Sequence, residues 1–344
     1  MKERDSNIEL LRIVAALFII AVHCNGLFLN PLWGGVNNWF SDGYVIGVSR
    51  IVVQNITVLG VDLFVLISGF YGIRPKLKSV INLFTCLVFF YMGCYIYNCF
   101  KGYDVWSVHG IYENLLAFSH KNWFINCYLF LMLLSPIINA FVDSVNTCKL
   151  GVYTLVYCLS TLYFGSIMSN VFWAYNGGYS ITVMVGVYLA GRYLGRITDS
   201  IDGIKYWHII LTFIGLITSM TFIRALAANE EAWLHYGSPI TMAAAVTFFM
   251  LFYRMPKFHS KFINWIGASC LAPFILHTCD PMYSWISRKD ISFFTYDCYP
   301  LYFLKMLLVI GSVFVLAILL DKIRIFIFSP LIKWSAKVKM LNNL

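Results

Sequence analysis

The sequence predicts an all-α, polytopic integral membrane bundle of about ten transmembrane helices, and three observations carry that prediction. Of the 344 residues, 60% are hydrophobic and only 12% are charged, whereas soluble domains carry roughly a quarter charged residues. The mean hydropathy is +0.74, a surplus that no soluble core can hide, because cores stop growing beyond about 250–300 residues. The apolar residues fall in continuous runs of about twenty, enough to cross about 30 Å of hydrocarbon as helix. A β-barrel would instead alternate apolar and polar over about ten residues per strand. Since backbone groups in lipid must bond internally, the runs are helices. An ordinary cytosolic enzyme, a disordered chain and a disulfide-stapled secreted scaffold are excluded.

Taken in order, the expected spans cover residues 8–29, 51–72, 80–100, 122–142, 150–168, 179–194, 208–228, 237–253, 262–284 and 299–320. The first begins at Ile8, carries Arg12 inside it and lacks a small-residue cleavage site, so no cleavable signal peptide is expected. Charge placement orients the rest. Seventeen Lys and Arg fall in the loops of one side, and four (Lys101, Lys121, Arg288 and Lys289) in those of the other. The positive-inside rule then places both termini in the cytoplasm. The net charge of +9 is thereby a topological signal, and no nucleic-acid partner is expected. The chain reads as one multi-pass membrane domain over residues 1–320, followed by a basic cytoplasmic tail over 321–344. Residues from Tyr103 to Lys121 are long enough to form an amphipathic element on the outer face.

The ten cysteines stand singly, most of them within apolar segments (Cys86, Cys94, Cys127, Cys158, Cys270), with no C-x-x-C pair; buried free thiols are expected. Cys24, Cys279 and Cys298 lie near one face, which leaves one disulfide among them open. Trp33, Trp39, Trp106, Trp123, Trp173, Trp233 and Trp285 mostly fall at predicted outer boundaries, as an interfacial belt does.

Ionisable side chains at membrane depth need a reason, since each costs about 2.5–3.5 kcal/mol even on the mild insertion scale. The first span, IELLRIVAALFIIAVH, holds Glu9, Arg12 and His23. Eleven residues at 100° each make about three turns plus 20°, so Arg12 and His23 share a face about 16 Å apart along the axis. Glu9 precedes Arg12 by three residues and can pair with it. Arg12 alone is open to snorkelling at a helix end, and a lone membrane His to a packing role. The shared face and the Glu9 partner favour a polar channel inside the bundle. At the outer level lie His109 and His120, then Asn122 and Trp123, with His277 and Asp280 three residues apart; Asp62 is mid-span. His235, beside Glu230 and Glu231, is expected to be solvated. No H-E-x-x-H or comparable spacing supports a metal, and none is expected.

Arg12, ten intervening residues and His23 in an N-terminal helix resemble the opening of the membrane acyltransferase-3 family, bacterial inner-membrane proteins that O-acetylate cell-surface sugars. The likeness continues through VDLFVLISGFYGIR (61–74), NWFINCYLFLMLLSPIIN (122–139), GGYSITVMVGVYLAGRYL (177–194), SPITMAAAVTFFMLF (238–252) and NWIGASCLAPFILH (264–277). One position departs: relatives often place a His two residues before the W-F pair, where this chain has Lys121, with His120 nearest.

The resemblance implies acyl transfer from acetyl-CoA, delivered from the cytoplasm, to a hydroxyl of a cell-surface or lipid-linked carbohydrate on the extracytoplasmic side. His23 is the expected base. Arg12, with Arg74 and Arg254 behind it, is expected to hold the diphosphate of the donor, because guanidinium forks onto phosphate. Trp123, His120, His277 and Asp280 are the expected acceptor-side residues. Asp280 could orient His277 or cap a kink ahead of Pro281, and direct attack and a transient acyl-His23 both stay open. From composition alone, a multi-pass transporter of a sugar, an acyl group or a lipid-linked glycan is the competing class.

Overall fold

A computed structural model of the chain describes residues 5–28, 40, 43–116, 122–168, 176–226, 233–280, 282–284 and 299–337. Among the described residues the fold is all-helical, without a strand. The helices are α1 (Ser6–Phe28), α2 (Tyr44–Thr57), α3 (Leu59–Tyr71), α4 (Leu77–Phe100), α5 (Val108–Leu116), α6 (Trp123–Ser144), α7 (Thr147–Leu162), α8 (Ile181–Leu194), α9 (Thr198–Asp202), α10 (Tyr206–Leu226), α11 (Pro239–Tyr253), α12 (Lys261–Gly267), α13 (Leu271–Thr278) and α14 (Tyr299–Lys337).

Among the described residues, six segments are long and apolar enough to cross a membrane: Ser6–Asn25, Tyr44–Tyr71, Leu77–Phe100, Trp123–Ser144, Tyr206–Leu226 and Phe303–Lys337. The other four apolar runs of the sequence meet different fates. α8 and α11 have 14 and 15 residues, about 21–23 Å of helix, short of a full hydrocarbon layer. α7 has 16 residues and loosens into a π turn over Tyr163–Ile167. The run expected at 262–284 is split into α12 and α13 by a turn at 268–270. The second span begins seven residues earlier than expected. Arg50, which marks a boundary in the sequence, is buried in α2, where Asn25 of α1 donates to its carbonyl oxygen at 3.1 Å. α14 runs on through Asp321 and Arg324 into the basic stretch, and α5 forms within the segment expected to be amphipathic.

The chain divides into two compact units: residues 1–73 with 127–268, and residues 74–126 with 269–344. In the first unit α3 lies between α1 and α8, and glycine permits both approaches. A Cβ on Gly60 would sit 2.8 Å from the carbonyl oxygen of Ala15, and one on Gly191 would sit 2.5 Å from that of Leu66. Small residues thus let backbones meet where lipid supplies no hydrophobic drive between helices. α3 stops at Gly72, whose φ of +73° suits glycine. Side-chain oxygens cap the starts of α7 (Asn146 to Lys149 N, 2.8 Å), α8 (Ser180) and α11 (Ser238).

In the second unit α4 packs on α14 around a buried ion pair. Arg324 contacts Asp321 at 2.7 Å with side chains 2% and 1% exposed. It also donates to Asn82 Oδ1 at 2.8 Å and Thr85 Oγ1 at 3.2 Å. Removing one partner of a buried pair strands the other charge, at about 3–5 kcal/mol. Arg324→Ala should therefore lower the unfolding temperature of the purified protein steeply, while Asp321→Leu with Arg324→Met should restore most of it. Equal melting of all three proteins would refute the clamp.

Candidate functional site

The sequence-predicted residues fall into both units. The first unit holds Arg12, His23 and Arg254; the second holds Arg74, Trp123, His277 and Asp280; His120 lies outside the described residues.

In the first unit the start of α1 is pinned by polar contacts. Ser6 Oγ donates to Asn264 Oδ1 and accepts from Ser260 N, each at 2.9 Å, and Asn7 Nδ2 donates to Met255 O at 3.0 Å. Glu9 is buried beside Gly267 of α12, where any larger residue would collide with its carboxylate. Arg12 Nη1 donates to Glu9 Oε1 at 2.9 Å. The Arg12 side chain is 30% exposed, and one of its five donors is held by the buried carboxylate. Three turns on, His23 is half-buried and its Nδ1 lies 2.8 Å from the Ile19 carbonyl oxygen. A carbonyl only accepts, so Nδ1 carries the proton and the lone pair of the neutral ring sits on Nε2. Ala16 and Ile19 occupy the stripe between the two residues and are buried, so this face of α1 points into the first unit.

Two residues beyond His23, Asn25 opens a buried polar network that sequence reasoning missed. Asn25 Nδ2 donates to Gln54 Oε1 at 2.9 Å, Arg224 Nε to Asn55 Oδ1 at 3.0 Å, and Asn55 Nδ2 to Thr221 Oγ1 at 3.2 Å. The signal was present: Arg50 and Arg224 are arginines within apolar runs, and buried amides lie beside them, Asn25 on the Arg50 carbonyl and Asn55 on the Arg224 guanidinium. Arg254 is engaged otherwise, with Nη1 on Asp202 Oδ1 at 3.3 Å and Nη2 on the Ile204 carbonyl at 3.1 Å; it ties the end of α11 to the α9–α10 turn.

In the second unit Trp123 begins α6, edge-on to Phe124, which packs on Phe274 at 4.8 Å. Asn122 Nδ2 donates to Thr278 Oγ1 at 3.1 Å, bringing the start of α6 against the end of α13. His277 is buried, its Nδ1 donating to Pro273 O at 2.8 Å and its ring edge-on to Phe274. Asp280 Oδ1 accepts from Ser284 Oγ at 2.7 Å, and Asn98 Nδ2 donates to the Asp280 carbonyl at 3.3 Å. Arg74 is exposed. Cys24 and Cys279 are buried, while Cys298 lies outside the described residues.

His235 is buried rather than solvated. Its loop folds onto Gly178, whose missing side chain leaves room for the His235 Cβ. Burial holds this imidazole below its ordinary value of 6.5, opposed by the hydrogen bond to the Tyr236 carbonyl. A depressed histidine stays neutral in the fold while the unfolded chain takes up the proton, so stability is lost as pH falls through 6.5 and below. Melting curves between about pH 7.5 and 5.5 should show a drop that His235→Gln reduces; an unchanged drop would remove His235 from the acid response.

No curated protein and no solved structure matches this chain. The family described as an acyltransferase domain matches over residues 5–322, a stretch that includes Arg12, His23, His277 and Asp280. That match extends over nearly the whole chain, whose described residues are all-helical and include six membrane-length apolar segments, and the protein belongs to the acyltransferase-3 family of membrane acyltransferases.

Proposed function

We propose that the protein transfers an acetyl group from acetyl-CoA to a hydroxyl of a cell-surface or lipid-linked sugar, with His23 as the base. The observation that supports this most is the tether of His23 Nδ1 to the Ile19 carbonyl, which presents Nε2 as the proton-accepting nitrogen. In the reaction Nε2 takes the hydroxyl proton, the sugar oxygen attacks the thioester carbonyl and the C–S bond breaks. The imidazolium then returns its proton to the departing CoA thiolate. Arg12 lies about 16 Å along the same helix, a separation of the order of an extended pantetheine arm, and its part-exposed side chain carries a guanidinium that suits a phosphate. Arg74, exposed in the second unit, is a further phosphate contact in this scheme; Arg254, held by Asp202, is the weakest of the three.

The topology that goes with this function has about ten crossings of the inner (plasma) membrane and both termini in the cytoplasm, an orientation the loop charges support. Donor then arrives at the Arg12 end and acceptor at the His23 end. Trp123, His277 and Asp280 belong to the acceptor side, with His277 acting from behind the surface.

His23→Ala should abolish alkali-labile acetyl esters on surface glycans while the protein still inserts. Loss of a general base alone costs about 10²–10⁴ in rate. Mass spectrometry of glycans from deletion and His23→Ala strains checks this: intact esters in the variant would remove His23 from the chemistry. Blocked glycan export in the deletion strain would point to a transporter instead. Arg12→Lys should weaken acetyl-CoA binding more than it weakens assembly, measured by titration of the purified protein, because an ammonium cannot fork onto phosphate.

A further inference from the structure

The second unit encloses a cavity of about 1050 Å³ between α4, α5, the end of α13 and α14, at the upper end of the roughly 300–1,000 Å³ of small-molecule sites. Its lining changes character along α4. From Phe89 to Asn98 is nine residues, about 13 Å of helix. At the Asn98 end the wall is polar and aromatic, with Tyr97, Tyr103, Asp104, Asn114 and Asp280. At the other end it is Phe89, Phe90, Leu316 and Leu320. Among the described residues the lining holds two carboxylates and no lysine, arginine or histidine.

The polar end is built rather than incidental. Tyr95 is buried and its hydroxyl accepts from Ser107 N and donates to Val105 O, each at 3.0 Å, which fastens the 103–107 loop over α4. Asn114 is buried and tied to Gly110 O at 2.8 Å. Asn98 and Ser284 fix Asp280 from either side. The apolar end opens on the exposed face of α14, since Ser312 and Leu316 line both the cavity and the groove formed by Leu307, Leu308, Val315 and Leu319.

Each feature narrows the occupant. Carboxylate and amide oxygens accept hydroxyl protons, and aromatic rings offer faces to a sugar ring. With two carboxylates and no lysine, arginine or histidine among the described lining residues, the wall disfavours a phosphate or a uronic acid; Lys101 is outside the lining, its ammonium 5.9 Å over the ring of Tyr97. An apolar end that leads onto a lipid-facing helix suits a chain that stays in the bilayer. We propose that this cavity binds an uncharged sugar carried on an apolar chain, the sugar between Asp104 and Asp280 and the chain leaving along α14. This rests on the acyltransferase reading only in identifying that occupant as the acyl acceptor.

The test uses the full-length protein in phosphatidylcholine nanodiscs and three probes: decyl maltoside, free maltose and decyl glucuronide. Decyl maltoside should bind at least about tenfold tighter than either of the others. Leu316→Trp should weaken decyl maltoside by about tenfold and leave free maltose unchanged. Asp104→Asn with Asp280→Asn should bring decyl glucuronide to within about threefold of decyl maltoside. Equal wild-type binding of the neutral and acidic glycosides overturns the proposal, and so does a Leu316→Trp protein that is folded by its melting curve and binds decyl maltoside as before. The wild-type probe series decides the matter even if a variant fails to fold. These measurements need no acyl transfer. Selective binding with intact esters in the His23→Ala strain would keep the site and end the His23 chemistry; unselective binding with lost esters would do the reverse.

Discussion

Hydrocarbon offers no partner to a polar side chain, so those this chain carries to membrane depth favour contacts with other residues of the same chain. That single constraint arranges much of the fold. Glu9 is closed by Arg12; Asn25 by Gln54 and the Arg50 carbonyl; Arg324 by Asp321, Asn82 and Thr85. Each closure joins residues that hydropathy would push apart, and most of them tie one helix to another. Where lipid gives no hydrophobic force between helices, such ties and close glycine contacts take over the work of a soluble core. The buried Arg324–Asp321 pair on α14, braced by Asn82 and Thr85 of α4, illustrates the cost. It adds little over a well-packed apolar pair, yet breaking it is severe, because a lone guanidinium or carboxylate has nowhere to go.

Much of this could be seen in the sequence. Long apolar runs gave α1, α4, α6 and α10 within a few residues, and the Arg12–His23 stripe does lie against the protein interior. What the sequence misjudged has physical causes. Arg50 looks like the edge of a span because charge normally stops one, yet it is buried within α2. Residues 262–284 are apolar enough for one crossing, but hydropathy carries no information on the turn that separates α12 from α13. His235 looks solvated beside two glutamates, whereas the glycine at position 178 admits its loop to the interior. Apart from Asp280, the cavity of the second unit was invisible in the sequence, because its polar end draws on two tyrosines, two asparagines and two aspartates spread over nearly two hundred positions, with no motif among them.

The two membrane histidines end in the same local bond, each giving its Nδ1 proton to the carbonyl four residues back, so tautomer alone does not distinguish them. Surroundings do. His277 is almost wholly buried, its ring set edge-on against Phe274 at 5.8 Å, in a helix that contains Pro273 and needs fastening. His23 is half-buried, on the stripe that carries Arg12. A base must reach a proton on a substrate that arrives and leaves, which favours the partly open ring over the closed one. The same bond therefore does two jobs: at His277 it anchors a short, closed helix, and at His23 it fixes the tautomer of a half-buried ring. On this view the local sequence around a membrane histidine sets which nitrogen carries the proton, and the packing of the ring decides whether that nitrogen can be used.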